Sequence, residues 1–370
     1  MKLVVFGLTI SSSWGNGHAT LWRGLCRALA GQGHELIFYE RDVPYYAANR
    51  DLFEIEGGEL VLYDGWDEVR HRAARDVATA DAAMVTSYCP DGLAATSLVV
   101  DNARGLRVFY DLDTPVTLSR LNRGESVGYI GPDGLAGFDL VLSYTGGGAL
   151  DALQSRLRAR RVAPLYGHVD PDVHRPAAPV ERFRADLSYM GTYAEDRQAA
   201  LETLFVEPAR LRPEQRFLIG GAQYPDDFPW TKNIYFVRHL PPPDHPAFYG
   251  SSRLTLNVTR QAMAAMGWCP SGRLFEAAAC GVAILTDDWD GLDAFFTPDA
   301  EILVARTTAE AVAALDLSDA ELARIAANAR ERVLAEHTSA HRAEALIAAF
   351  EAARDPMRSG AARSSAPEEV

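Results

Sequence analysis

The sequence is poor in cysteine, short of positive charge and without long apolar runs, and each shortage excludes a class of protein. Its 370 residues hold only four cysteines, Cys26, Cys89, Cys269 and Cys280, with no pair in CxxC spacing. That argues against a disulfide scaffold or a structural zinc site and for reduced thiols in a cytoplasmic protein. Acidic residues outnumber basic ones 50 to 36, for a formal net charge of −14. Such a field opposes general nucleic-acid binding, which depends on neutralising phosphates. It still admits a small anionic ligand, provided a few arginines set the local potential of a cleft. The N-terminal apolar stretch, 2–10, runs straight into Ser11, Ser12, Ser13 and Trp14. It is too short for a leader or a membrane span and reads as a first buried strand. Short-period internal repeats are absent, and no integral membrane segment is expected.

Apolar residues make up 48% of the chain and charged residues 23%, an ordinary globular mixture at about twice the length of one domain. Short, continuous, β-branched or aromatic runs recur at 3–8, 35–39, 60–63, 83–87, 107–110, 140–144 and 163–166. Fully buried parallel strands look like this. Between the first two, Leu21, Leu25 and Leu29 line one face of a helix that Gly31 or Gly33 ends. A Pro-dense stretch after Val169 interrupts the pattern, and a second series follows at 187–190, 216–219, 234–237, 254–258, 282–286 and 302–304. Alternation of strand and helix in both halves predicts an α/β fold: two Rossmann-like parallel-sheet domains facing across a cleft. The expected division is an acceptor-side domain over 1–170, a linker over 171–182 and a nucleotide-sugar domain over 183–340. A last helix over 341–356 is expected to pack back on the first domain, before a flexible tail over 357–370. Ser318 and Glu321 form a capping box at the start of the closing helical region, which breaks near His337 and Thr338.

The segment 270–281 carries the strongest chemical signal. Ser271 is placed to cap a helix that opens with Gly272 and Arg273, and Gly281 is placed just past its end. Free amides and the dipole at such a start suit a phosphate, and Arg273 adds a charge-assisted hydrogen bond. Glu276, one turn on, is placed to accept hydrogen bonds from ribose hydroxyls. The plain alternative is an Arg273–Glu276 pair on the helix surface.

This segment resembles the donor-binding helix of group-1-type, GT-B-fold glycosyltransferases, in particular their spore-maturation-protein-like branch. The Gly191-Thr192-Tyr193 turn, the 285–292 segment and the run 337–342 are similar to that branch as well. The resemblance implies a nucleoside-diphosphate sugar as co-substrate, no other cofactor, no metal, and an acceptor that the sequence does not identify. It also implies that Glu276 contacts ribose, and that Gly191 and Tyr193 face the diphosphate or the acceptor. Retaining members often carry a second glutamate that touches the donor sugar; at the matching position this chain has Trp268.

Other candidates follow from their place at strand ends, where open α/β sheets bind ligands. On the donor side these are Arg238-His239 as a pair flanking the base, Arg260 as a partner for Arg273, and Asp290-Gly291 towards the sugar hydroxyls; Gly220-Gly221 reads as a tight turn. On the acceptor side Gly15, Asn16 and Gly17 form a tight loop, and His18 offers a base or a hydrogen-bonding group. Asp113 is the second candidate for taking the acceptor's proton, against a turn-forming role, and Glu40 closes the second strand on the same edge. The basic run Arg156, Arg158, Arg160 and Arg161 reads as a solvated face, with docking to a membrane surface or an anionic acceptor as the alternative.

Three rival readings stay open at this level. A dinucleotide-dependent oxidoreductase is suggested by Gly15-Asn16-Gly17 with Glu40, although Thr20 replaces the third glycine. A metal-dependent transferase is suggested by Asp111-Leu112-Asp113 and Asp288-Trp289-Asp290. A non-catalytic sugar-nucleotide-binding protein would share the same fold.

Overall fold

The computed structural model describes residues 1–355; the expected tail over 357–370 and the last residue of the expected closing helix lie outside them. Thirteen strands form two parallel sheets. The first sheet holds β1 Lys2–Gly7, β2 Glu35–Arg41, β3 Gly58–Tyr63, β4 Ala82–Thr86, β5 Leu106–Asp111, β6 Leu140–Ser143 and β7 Val162–Pro164. The second holds β8 Ala185–Met190, β9 Phe217–Gly221, β10 Ile234–Arg238, β11 Ser252–Asn257, β12 Ala283–Thr286 and β13 Leu303–Val304. Every apolar run read as a strand is one, because a strand covered on both faces must be apolar on both.

The strand orders are β3-β2-β1-β4-β5-β6-β7 and β10-β9-β8-β11-β12-β13. Each order reverses once, between β1 and β4 and between β8 and β11. The connections on the two sides of each reversal depart to opposite faces, leaving a crevice outside the carboxyl ends of those strands. The two domains turn these crevices towards one another.

Each sheet is buried on both faces. Leu3, Val5 and Phe38 face one side of the first sheet and Val4, Phe6 and Tyr39 the other. The second sheet is covered in the same way, with Leu187 and Tyr189 on one face and Met190 and Leu218 on the other.

The chain passes between the domains twice, side by side. Val169 N donates to His337 O at 3.0 Å, and Ser339 N donates to Val169 O at 2.7 Å. Segment 171–182 runs along the second domain, where a β-carbon on Gly250 would collide with Ala177 O. The helix Asp319–Glu336 opens with the Ser318–Glu321 capping box and stays with the second domain. After the break at His337 and Thr338, the helix Ser339–Arg354 lays Ala343, Leu346, Phe350 and Ala353 into the first domain's core. Burying a side chain of the size of Leu346 or Phe350 contributes roughly 1.5–3 kcal/mol, so this helix is held firmly to the first domain. No helix among the described residues is long and apolar enough to cross a membrane.

Candidate active site

The loop after β1 is shaped by a buried carboxylate. Glu40, 1% exposed at the end of β2, accepts from Thr9 Oγ1 at 2.6 Å, Ile10 N at 2.8 Å, Ser11 N at 3.0 Å and Ser11 Oγ at 2.5 Å. These bonds use both of its oxygens. The expectation that Glu40 lines the acceptor edge is therefore corrected: it splints the loop from behind and lies outside the cleft.

The splinted loop presents Gly15, Asn16 and Gly17 to the cleft, with Gly15 at φ +61°. Asn16 is buried; its Nδ2 donates to Thr9 O, and its Oδ1 accepts from His18 N at 3.1 Å. His18 begins the helix His18–Gly31, and its Nε2 stands 4.0 Å from Asp113 Oδ1. Asp113 follows β5 and begins the helix Thr114–Asn122. Two residues earlier, Asp111 is fully buried, and burial pushes its carboxyl up to about 6. Its Oδ1 accepts from Asp113 N and Thr117 Oγ1, both at 3.1 Å, which fixes the backbone that carries Asp113. The two residues considered for the acceptor's proton thus meet, although neither sequence context points to the other.

Across the cleft stands the helix Gly272–Cys280, closed by Gly281 at φ +79°; Ser271 holds the N-cap position, but its side chain makes no capping bond to the helix amides. Its first turn holds no acidic residue, so nothing there offsets the positive end of the dipole. Arg273 donates from Nη1 to Met190 O and from Nε to Ser271 Oγ at 3.3 Å. Its guanidinium lies over Tyr189, 5.8 Å from the ring centre. A β-carbon on Gly191 would collide with Arg273, and one on Gly221 would collide with Gly191 O. These glycines let the ends of β8 and β9 approach the helix start.

Arg260 and Arg197 complete a cationic wall. Arg260 Nε donates to Asp196 Oδ2 at 3.0 Å. Arg197 donates from Nη1 to Thr192 O at 3.3 Å, while its buried Nε finds no partner among the described residues. Burial, with Arg273 and Arg260 nearby, holds its guanidinium below the ordinary arginine value, yet an arginine stays charged. A buried donor left unpaired costs about 1–3 kcal/mol, which a bound anion would recover.

Glu276 turns inward from the same helix. It is 6% exposed, and burial raises its carboxyl above the ordinary range. His174 Nε2 lies 3.9 Å from Glu276 Oε1 and 3.3 Å from His245 Nδ1. Burial pushes both imidazoles down to about 4, so they are neutral near pH 7. No Arg273–Glu276 surface pair forms, because Glu276 faces the interior.

The two walls enclose one cleft of about 440 Å³. Of the expected residues it gathers Gly15, Asn16, Gly17, His18, Asp113, Gly191, Tyr193, Arg260, Ser271, Gly272, Arg273 and Glu276. Besides Glu40, three expected residues do not line it. Arg238 is exposed at the end of edge strand β10, and it is the next residue, His239 at φ +53°, that reaches the cleft, its ring 4.0 Å from that of Trp14. Asp290 and Gly291 instead form a left-handed turn that holds Trp268: Trp268 N donates to Asp290 O at 2.7 Å. Trp268 is wedged between Gly147 of the first domain and Gly291 of the second. In the basic run, Arg156 bonds Asn122 and Arg161 bonds Ala353 O; Arg158 ends a helix in a left-handed turn.

Sequence reasoning missed Arg197, His174 and His245, whereas His239 was expected beside Arg238 and does reach the cleft. Arg197 had a signal, since it sits in the segment following a strand's carboxyl end. His174 had none, because the direction of a linker side chain has no period to read.

Residues 197–348 match the model of a family described as glycosyl transferase-like. No curated protein matches the chain in sequence. Several solved structures share the fold across 95% of the chain. Sucrose-phosphate synthase from Thermosynechococcus elongatus superposes with a TM-score of 0.67 at 13% identity, over 98% of that chain. HepE of Anabaena, in complex with UDP-glucose, gives 0.66 at 12% over its whole length. An alpha-glucosyltransferase in complex with UDP and a 13-mer DNA gives 0.66 at 11%, over 99% of that chain. The architecture of the present chain is thus the two-domain GT-B arrangement, and the family match falls within its second half.

Proposed function

We propose that the protein is a metal-independent glycosyltransferase that moves a sugar from a nucleoside-diphosphate donor to an acceptor held by the first domain. The observation that carries this reading is the convergence of Arg197, Arg260 and Arg273 on a helix start, facing His18 and Asp113 across one cleft. A departing diphosphate gains negative charge as the sugar centre becomes cationic. Fixed arginines and free helix amides offset that charge without reorganising. Glu276 accepts the ribose hydroxyls, and the aromatic and backbone groups around His239 meet the base. His18, facing Asp113 Oδ1 at 4.0 Å, takes the acceptor's proton.

Two of the similar structures hold UDP or UDP-glucose, which makes uridine the first base to try. One of them was captured with DNA, but a net charge of −14 argues against a duplex acceptor here. The loop geometry also weakens the oxidoreductase alternative, because Glu40 has no oxygen left for a ribose.

The deciding measurement is a thermal-shift screen of nucleoside diphosphates and their sugars, followed by donor hydrolysis assays with and without chelator. Stabilisation by one diphosphate series, with turnover undiminished by chelator, is the expected outcome. Stabilisation without hydrolysis or transfer to any acceptor would favour a binding protein of the same fold. Stabilisation by nicotinamide dinucleotides alone would sink the proposal.

A further inference from the structure

His174 does something its linker position does not require: it enters the second domain and meets two cleft residues. Ligand-type atoms of His174, His245 and Glu276 all lie within 4.8 Å of one another, and all three side chains are buried. They come from three separate elements: the inter-domain linker, the start of the helix His245–Gly250, and the helix Gly272–Cys280. His245 Nε2 faces Leu240 O at 3.2 Å; a carbonyl only accepts, so Nε2 carries the proton and Nδ1 keeps its lone pair towards His174. An imidazole oriented by a backbone carbonyl in this way is a prepared metal ligand. His174 presents Nε2 to both partners, while its Nδ1, on the far side of the ring, is buried without a partner among the described residues.

The spacing suits a small ion. Four ligands at 2.0–2.1 Å in a tetrahedron stand about 3.3 Å apart. His174 Nε2 is 3.3 Å from His245 Nδ1 and 3.9 Å from Glu276 Oε1. Two neutral imidazoles and one carboxylate are a donor set for zinc, cobalt or nickel rather than magnesium or calcium. His245 and Glu276 both line the cleft, so a fourth ligand position would open onto it.

We propose that His174, His245 and Glu276 bind a zinc-class divalent ion, and that this ion and the sugar nucleotide exclude one another because both need Glu276. The metal site stands on geometry alone; the exclusion rests on the donor reading above. Metal would then act as an inhibitor of the transferase rather than as its cofactor.

The test is a titration of the metal-free full-length protein with Co2+, followed by its visible d–d absorption, with free Co2+ set by a metal buffer so that chelation by nucleotide is accounted for. A band of four- or five-coordinate intensity, displaced by Zn2+, is expected. In His174→Gln and in His245→Gln, each checked for folding by circular dichroism, the apparent Kd should rise at least about tenfold. Saturating UDP should weaken Co2+ binding about tenfold or more, and Co2+ should weaken UDP binding by the same factor. No band, or a band unchanged in both folded variants, would overturn the metal site. Independent binding of UDP and Co2+ would overturn the exclusion. Failure of UDP to bind the metal-free protein, with the Co2+ band intact, would instead count against the donor reading.

Discussion

The guanidinium of Arg273 occupies the space that a β-carbon on Gly191 would need. The contact joins the end of β8 to the start of the helix Gly272–Cys280, and Arg273 seals it by donating to Met190 O. The donor side of the cleft depends on this closeness, and Gly191 is kept for its lack of side chain rather than for an unusual backbone angle.

Gly191→Ala should displace Arg273, at an overpacking cost of about 1–3 kcal/mol. A lower melting temperature and a weaker affinity for the donor nucleotide are expected together. An unchanged nucleotide titration would mean that Arg273 does not contact the diphosphate.

Arg273→Ala should lower kcat by about 10²–10³ while the protein stays folded, the range for removing one group that meets developing charge. Arg273→Lys should recover part of the loss, since a point charge replaces a planar fork. Undiminished sugar transfer by the folded alanine variant would refute the donor-site assignment.

His18→Ala should reduce kcat by about 10²–10⁴, as for loss of a general base. Donor affinity, measured with the diphosphate alone, should hold, because His18 stands on the opposite wall. Asp113→Asn should lower kcat as well, by removing the carboxylate that faces the imidazole. A donor affinity that collapses in His18→Ala would move this residue out of the acceptor role.

Stability should fall as the pH drops from about 6.5 towards 4. Burial lowers the imidazoles of His174, His245 and His337 to about 4 and that of His168 to about 3, against an ordinary value of 6.5. In this window the unfolded chain binds more protons than the folded one, so stability rises with pH and is fully present above 6.5. Asp111, Glu276 and Asp287, raised by burial, act in the opposite sense, but four histidines outweigh them. Melting temperatures measured between pH 7.5 and 4.5 check this; a flat profile would show that the histidines are solvated.

Much of the cleft was legible because it lies where strand ends must put it. The apolar runs located β1, β5, β8 and β11, and residues just past those strands, such as Asp113, Gly191 and Arg260, inherit the crevice from topology alone. Ser271, Arg273 and Glu276 followed from a helix start with a capping residue and helical spacing. Glu40 misled because a strand-end carboxylate has the same local signature whether it faces a ligand or staples its own loop; only the donors of Thr9, Ile10 and Ser11 decide.

Local pattern therefore determined the elements, their parallel alternation and the pole at which ligands bind, because strands buried on both faces and capped helices are written in neighbouring residues. Tertiary structure alone decided which way loop and linker side chains turn. It brought His18 to Asp113, His174 to Glu276, and Trp268 between two glycines of different domains. Those contacts join residues far apart in the chain, and their partners are chosen by packing rather than by any period in the sequence.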